Sequence, residues 1–335
     1  LKQLVKEKEL SWEKVVLAIE ESLMAAYKKN PGSHENGKLI MDKKTGHVEV
    51  KVQELDESGN IVKEFDDTPA DFARVAAATA KQVLFLKMRD VKDDQVFKDY
   101  LRKENTIISG VVQQGKDPNL IDVKLADGIE GFIPAQEQVP GENYQHGTRI
   151  KCFIVSVRKG NKGPQITLSR THPGLVKGLF ELEAPEVQQG VVEIVAVARE
   201  SGHRTKIAVL SHDPQISPKG TCIGPMGQRV RNVMNELGGE KIDIVDFSLD
   251  PAIFIANALS PAKVSQVTVT DLESRSAQVL VPDFQLSLAI GREGQNARLA
   301  ARLTGWKIDI RSESKKDNEN TDRKSTRLNS SHTDI

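Results

Sequence analysis

Two glycine pairs carry the residue types and spacing from which chemistry can be read. Gly224-Pro225-Met226-Gly227 and Gly291-Arg292-Glu293-Gly294 each follow an isoleucine and precede a glutamine, Gln228 and Gln295. A helix-forming run comes next in both. It holds Arg229 and Arg231 in the first copy, and Asn296 and Arg298 in the second. Both runs lead to the same four residues, Lys241-Ile242-Asp243-Ile244 and Lys307-Ile308-Asp309-Ile310, so one deletion relates two near-copies. Such a repeat defines the folding unit. Glycine takes positive φ and lets a backbone approach a ligand closely. A turn of this kind at the start of a helix offers free N–H groups and a positive dipole end, which favour phosphate. One Gly-x-x-Gly arises easily by chance. Two copies that match in Ile, Gln, Arg and trailing strand weigh against two merely structural turns.

Other chemistry finds less support. Gly110–Lys116 fits most of a nucleotide-binding P-loop, but Asp117 stands where Ser or Thr would hold magnesium. Pro118 and a strand follow where a helix should begin, so the stretch reads as a strand and hairpin turn. Ser211-His212-Asp213 has the letters of a triad, yet adjacent residues cannot form the relay. His203 and His212 lack the His-x₃-His or Cys-x₂-Cys spacing of a metal site and read as surface polar positions. No carboxylate set reads as a two-metal centre. The expectation is a protein that is not an enzyme, with no catalytic residue, metal or cofactor.

Composition adds bounds. The 47 Lys and Arg balance 47 Asp and Glu, so no global basic field announces a nucleic acid. Aromatic residues make up only 4% of the chain, which leaves few stacking platforms. Cys152 and Cys222 lie far apart and suggest neither a disulfide framework nor a metal motif, which fits a reducing cytosol. No apolar run approaches the roughly 20 residues of a membrane span. The amino end is charged and unlike a signal peptide, so a cytoplasmic location is expected. Leu1 is not an initiator Met, so a few starting residues are expected to be missing.

The elements that position the glycine pairs follow from periodicity. Residues 1–104 read as an α/β domain. Ser11 is placed to cap a helix whose Val15, Val16, Ile19, Leu23 and Tyr27 share a face. Alternating strands follow, then a long helix predicted to begin at Thr68 with Pro69 in its first position and to run toward Tyr100. Its charged faces suit contact with a protein. Residues 105–171 hold five short strands between turn signals, the pattern of a small barrel. There Phe132 suits base stacking, and Arg149, Arg158, Lys159 and Lys162 suit phosphate contact. Residues 172–246 and 247–311 both read α-β-β-α-α-β. Almost no linker separates them, and fixed spacing between two sites raises effective concentration. The tail, residues 312–335, is polar and aperiodic and is expected to be disordered, with residues 324–335 resembling a non-native extension.

The doubled loop resembles the KH pattern, in which Gly-x-x-Gly clamps about four nucleotides of single-stranded RNA. Asp127–Pro134 and Ile166–Arg170 resemble the S1 domain, an OB-fold barrel that binds RNA. The typical aromatic pair of the second barrel strand is absent; Ile121 and Val123 stand there, so only auxiliary RNA contact is expected. Together these resemblances imply an α+β multidomain protein: an α/β amino-terminal domain, an S1 barrel and two type II KH domains. That order resembles the NusA family of bacterial transcription factors over about Leu1–Arg311, most specifically at Phe72–Asp90, Ile223–Ile244 and Gln285–Ile310.

The resemblance implies an amino-terminal domain that binds RNA polymerase core near the RNA exit. It implies S1 and KH modules on nascent single-stranded RNA, and roles in pausing, termination and antitermination. Other antitermination factors are implied partners of what is expected to be a monomer with no membrane contact. Two departures stand out. The first loop carries Pro225 and Met226 where family loops usually carry a basic residue, so Arg229 and Arg231 must supply the attraction. The second keeps Arg292 beside Glu293, and is expected to contribute the greater RNA affinity. The acidic carboxy-terminal repeats of some members have no counterpart here. Polynucleotide phosphorylase also joins KH and S1 modules, but in the opposite order and after large catalytic domains. A translation or ribosome-assembly factor would keep the RNA modules and change the partner.

Overall fold

The computed structural model describes residues 12–29, 33–34, 36–42, 45–55, 61–115, 117, 119–160 and 163–314. Ser11, Lys116, Pro118, Lys162 and the tail beyond residue 314 lie outside the described residues. The chain divides into two units, which are taken one at a time.

The first unit comprises Leu1–Arg102 with Arg158–Pro164. Helix α1 (Trp12–Tyr27) buries Val15, Ile19, Leu23 and Tyr27, one residue per turn, against the sheet. That sheet is an antiparallel meander of β1 (Gly37–Met41), β2 (Val48–Leu55) and β3 (Ile61–Asp66). Val48 and Val50 of β2 join Phe72, Ala76, Val83 and Leu84 of the long helix α2 (Phe72–Leu101) in the same core. The helix begins three residues later than a start at Pro69. The Thr68 hydroxyl accepts the Val50 N–H at 2.8 Å and is not free to cap a first turn. The Pro69 carbonyl instead receives the Phe72 N–H at 2.9 Å, which closes a turn ahead of the helix.

The second unit holds Lys103–Val157 and the described residues from Gln165 onward. Strands β4 (Ile107–Gln113), β5 (Leu120–Lys124), β6 (Glu130–Pro134), β7 (Arg149–Gly160) and β8 (Gly163–Ser169) close a barrel in the order β4-β5-β6-β8-β7. The β6–β8 pair is parallel and the other described pairs are antiparallel, as an OB-fold requires. Val112, Val123, Ile133, Ile154, Ile166 and Leu168 fill the interior. Closure leaves no open edge for another chain to extend.

Two repeats follow. The first runs α3 (Pro173–Glu183), a single turn α4 (Pro185–Gln188), β9 (Val192–Glu200), β10 (Arg204–Ser211), α5 (Pro218–Ile223), α6 (Gln228–Glu236) and β11 (Lys241–Asp246). The second runs α7 (Pro251–Ala258), β12 (Gln266–Asp271), β13 (Ser276–Val281), α8 (Leu286–Ile290), α9 (Gln295–Thr304) and β14 (Lys307–Ser312). In both, the middle strand pairs antiparallel with the first and parallel with the last, the type II KH arrangement expected. One sheet face packs on the repeat's own helices. The other face differs between the copies. In the first it carries Ala198, Ala208 and Val245, which share a core with Phe254, Ile255, Leu299 and Leu303 of the second repeat. Lys206, on the same face, is fully buried; its ammonium donates to Asp243 at 3.0 Å and to the Ser260 carbonyl at 2.6 Å. The matching positions of the second copy are Gln278, Leu280, Asp309 and Arg311. Gln278, Asp309 and Arg311 border an open cavity of about 390 Å³.

Candidate nucleic-acid interface

Both loops have one backbone geometry. Gly224 has φ 71° and ψ 174°, and Gly291 has φ 77° and ψ 171°. This is a region open in practice to glycine alone. A β-carbon at Gly291 would lie 2.8 Å from the Asn296 N and Cβ, and one at Gly224 2.5 Å from Arg229 Cγ. The third residues are left-handed without being glycine, Met226 at φ 54° and Glu293 at φ 53°. Each costs about 1 kcal/mol against the usual preference of L-residues. The second glycines are left-handed too, and a side chain there would meet nothing within 4 Å. So the first glycine of each pair serves packing, and the second leaves the rim open.

The loops spend part of the donor set that a phosphate clamp would use. Gly224 N–H donates to Gly220 O at 2.8 Å and Gly227 N–H to Gly224 O at 3.0 Å; Gly291 and Gly294 do the same to Ser287 and Gly291. Gln228 and Gln295 N–H close the following turns on Pro225 and Arg292. Attraction for an anion therefore falls more on side chains than the sequence implied.

Those side chains divide into outward and inward groups. Pro225, Met226, Gln228 and Arg231 are exposed in the first copy, and Arg292, Glu293 and Arg298 in the second. Arg229 turns inward. It donates to the Thr221 carbonyl at 2.8 Å and pairs with Glu186 at 3.0 Å, beneath Gly224. Asn296 holds the same place in the second copy and is 3% exposed. Its amide donates to Leu259 O and Ala289 O, both at 3.0 Å. Arg229 and Asn296 are thus staples between the two helices of each loop, and neither presents a polar group to a ligand in this geometry.

Arg231 and Arg298 repeat a different device. Each guanidinium donates to the carbonyl of the left-handed loop residue, Met226 or Glu293. Arg298 has a second partner absent from the first copy. Its Nε donates to Glu200 at the end of β9, while Gln295 Nε2 donates to the other Glu200 oxygen at 2.9 Å. Arg302 stands 3.9 Å away. The Arg298 hydrogen bond holds the Glu200 carboxyl below the usual range, so it is charged at neutral pH. Glu200 escaped the sequence reading because 95 residues separate it from Gln295. The available signal was indirect: Gln295, Arg298 and Arg302 line one helix face at spacings of three and four, which calls for an acidic neighbour.

The barrel residues are less convergent. Phe132 is half-buried and sits opposite Asp122 across β5 and β6. Arg149 and Arg158 are exposed. Lys159, within the first unit, pairs with Asp94 at 2.7 Å and lies over the Phe97 ring. Barrel and first repeat are joined through Arg170, which is nearly inaccessible. It pairs with Glu142 and donates to Lys151 O at 2.8 Å and Glu236 O at 2.9 Å. Glu236, ending α6, also accepts from the Lys151 ammonium at 3.0 Å. Within the first repeat, Arg199 and Glu240 are both buried and bonded at 2.9 and 2.8 Å, with Gly202 and Thr205 completing the carboxylate's partners. Burial would raise the Glu240 carboxyl, but the Arg199 bonds outweigh it and hold it low.

A closed OB-fold barrel followed by two type II KH repeats, each with a left-handed Gly-x-x-Gly loop, defines a protein of modular nucleic-acid-binding architecture. Residues 1–55 match the NusA N-terminal domain, residues 170–247 the NusA-like first KH domain, and residues 251–318 the NusA-like second KH domain. The chain is 54% identical over 308 residues to the transcription termination/antitermination protein NusA of Mycobacterium tuberculosis strain H37Rv, covering 90% of this chain and 89% of that one. The Bacillus subtilis protein of the same name is 47% identical, covering 92% and 89%, and that of Thermus thermophilus 36% identical, covering 92% and 87%. The chain belongs to the NusA family of transcription termination/antitermination proteins.

Proposed function

We propose that this chain binds RNA polymerase core through residues 1–104 and holds nascent single-stranded RNA on its two KH repeats, so modulating pausing, termination and antitermination. The observation that carries the RNA part is the pair of loops with one left-handed geometry, held in a single compact unit. Gly224–Gln228 with Arg231 form the first contact, and Gly291–Gly294 with the free edge of Arg298 the second. The barrel adds a weaker contact through Phe132 and Arg149. Family membership supports the polymerase part. It also supports a non-catalytic monomer at work in the bacterial cytoplasm, with other antitermination factors as further partners.

The full chain, immobilised and exposed to bacterial lysate, should retain polymerase core. Recovery of ribosomal particles without polymerase would overturn that partner. Ultraviolet crosslinking to a 12-nucleotide RNA should label peptides containing both loops. Labelling confined to the barrel would sink the two-loop assignment.

A further inference from the structure

Glu200 sits on the face of the first repeat's sheet that the second repeat covers, and it accepts from Gln295 and Arg298 of α9, with the Arg302 guanidinium 3.9 Å away. The first repeat provides an internal comparison. Gln228 and Arg231 occupy the same places in α6, and among the described residues neither is bonded to a carboxylate. Adhesion between the repeats does not explain the difference. The apolar core around Ala198, Ala208 and Val245 and the Lys206 bond to Ser260 already join them. A partly exposed ion pair adds little to such a contact.

Position explains it better. Gln295 directly follows Gly294, so the carboxylate lies one hydrogen bond from the residue bordering the loop. A phosphate approaching this loop meets arginines whose charge Glu200 already offsets, an effect that reaches over a Debye length of about 8 Å at physiological salt. Arg298 is meanwhile held at Nε by Glu200 and at a terminal nitrogen by Glu293 O at 3.3 Å. Phosphate contacts supply affinity without regard to sequence, and base contacts supply discrimination.

We infer that Glu200 is a specificity-determining residue of the second loop: it cancels that loop's sequence-blind attraction for phosphate, so that retention there depends on the bases. The inference rests on the RNA reading proposed above. Glu200→Gln keeps the size, removes the charge and leaves one acceptor oxygen where the carboxylate has two. The measurement is the affinity of the full chain for 12-nucleotide homopolymers rA, rC and rU across a salt series. Glu64→Gln, in the amino-terminal sheet, makes the same change in net charge elsewhere.

Glu200→Gln should tighten all three homopolymers by about three- to tenfold and narrow the spread among them. It should also steepen the salt slope by about 0.7 for each phosphate newly engaged. Glu64→Gln should change neither. Unchanged or weakened binding by Glu200→Gln overturns the inference while the RNA reading stands. An equal gain in Glu64→Gln reduces the effect to net charge and overturns it too. No binding by the parent chain removes the RNA reading and the inference together. Rescue of parental affinity and spread by Glu200→Asp would support the assignment.

Discussion

His172 shows what one side chain settles at the start of the first repeat. It precedes Pro173, and its Nδ1 accepts the Gly174 N–H at 3.0 Å as the N-cap of α3. Its ring stacks on Phe153 of the barrel, centroids 4.2 Å apart, and its carbonyl receives an Arg199 N–H at 3.1 Å. Burial, with Arg199 nearby, pushes its pKa below the ordinary value, though Glu137 pulls the other way. A cap that accepts through Nδ1 needs that nitrogen bare. The contribution of the neutral ring is therefore complete above the unfolded-state value of about 6.5 and is lost as pH falls through the lower native value. Urea midpoints taken between pH 8 and 5 should fall in the parent below about 6.5. His172→Asn, a good cap without a titrating ring, should flatten that part of the profile. A profile unchanged by the substitution would show that other groups set the slope. Nothing in the sequence marked His172. Histidine is a rare cap, and the stacking partner comes from a strand that precedes it in another module.

At the scale of elements, the loops were legible and the roles of their neighbours were not. Gly-x-x-Gly followed by Gln, twice, was enough to place α5, α6, α8 and α9, because glycine spacing and helical periodicity are local. Whether Arg229 or Asn296 faces outward depends on what lies beneath the loop, and there Glu186 and the Leu259 carbonyl decide. The late start of α2 has a similar cause: Thr68 is taken by a strand 18 residues earlier. The Pro-Met and Arg-Glu tips remain the clearest difference between the copies. The Arg292 side chain is 93% exposed, and the likewise exposed Glu293 carboxylate stands 3.8 Å from it. Changing Arg292 and Glu293 to aspartates should weaken RNA binding more than the same change at Pro225 and Met226. Both pairs of substitutions alter the net charge equally, so the difference reads the Arg292 contact itself. Filter binding at one salt concentration measures it, and equal losses would refute the expectation.

At the scale of the second unit, barrel and repeats share buried polar ties, and these should make it open as one. Two thiols report on this. Cys152 lies in the barrel wall and Cys222 in α5, both buried. Burial pushes their pKa values up to about 12 and about 11. Neither should react with a disulfide reagent at pH 8 in the native protein. Along a urea series both should become reactive at one midpoint, resolved by mass spectrometry of the two peptides. Separate midpoints would show that barrel and first repeat open independently. The balanced charge of the chain hid these ties. Arg170, Arg199 and Lys206 count equally with exposed cations in the charge balance, yet each side chain is spent inside.

The ties have a direction. The helix after the first loop ends in Glu236, which is seated on barrel strand β7, and the helix after the second begins with Gln295, which is seated on β9. Each loop-bearing helix thus rests on a module that lies nearer the amino terminus. During synthesis the seat leaves the ribosome before the helix that needs it. The barrel can close while the first repeat is still being made, and the first repeat can close before α9 emerges. The order of modules along the chain is also an order of assembly, and a circular rearrangement that put the repeats ahead of the barrel would oblige α6 to wait for its seat.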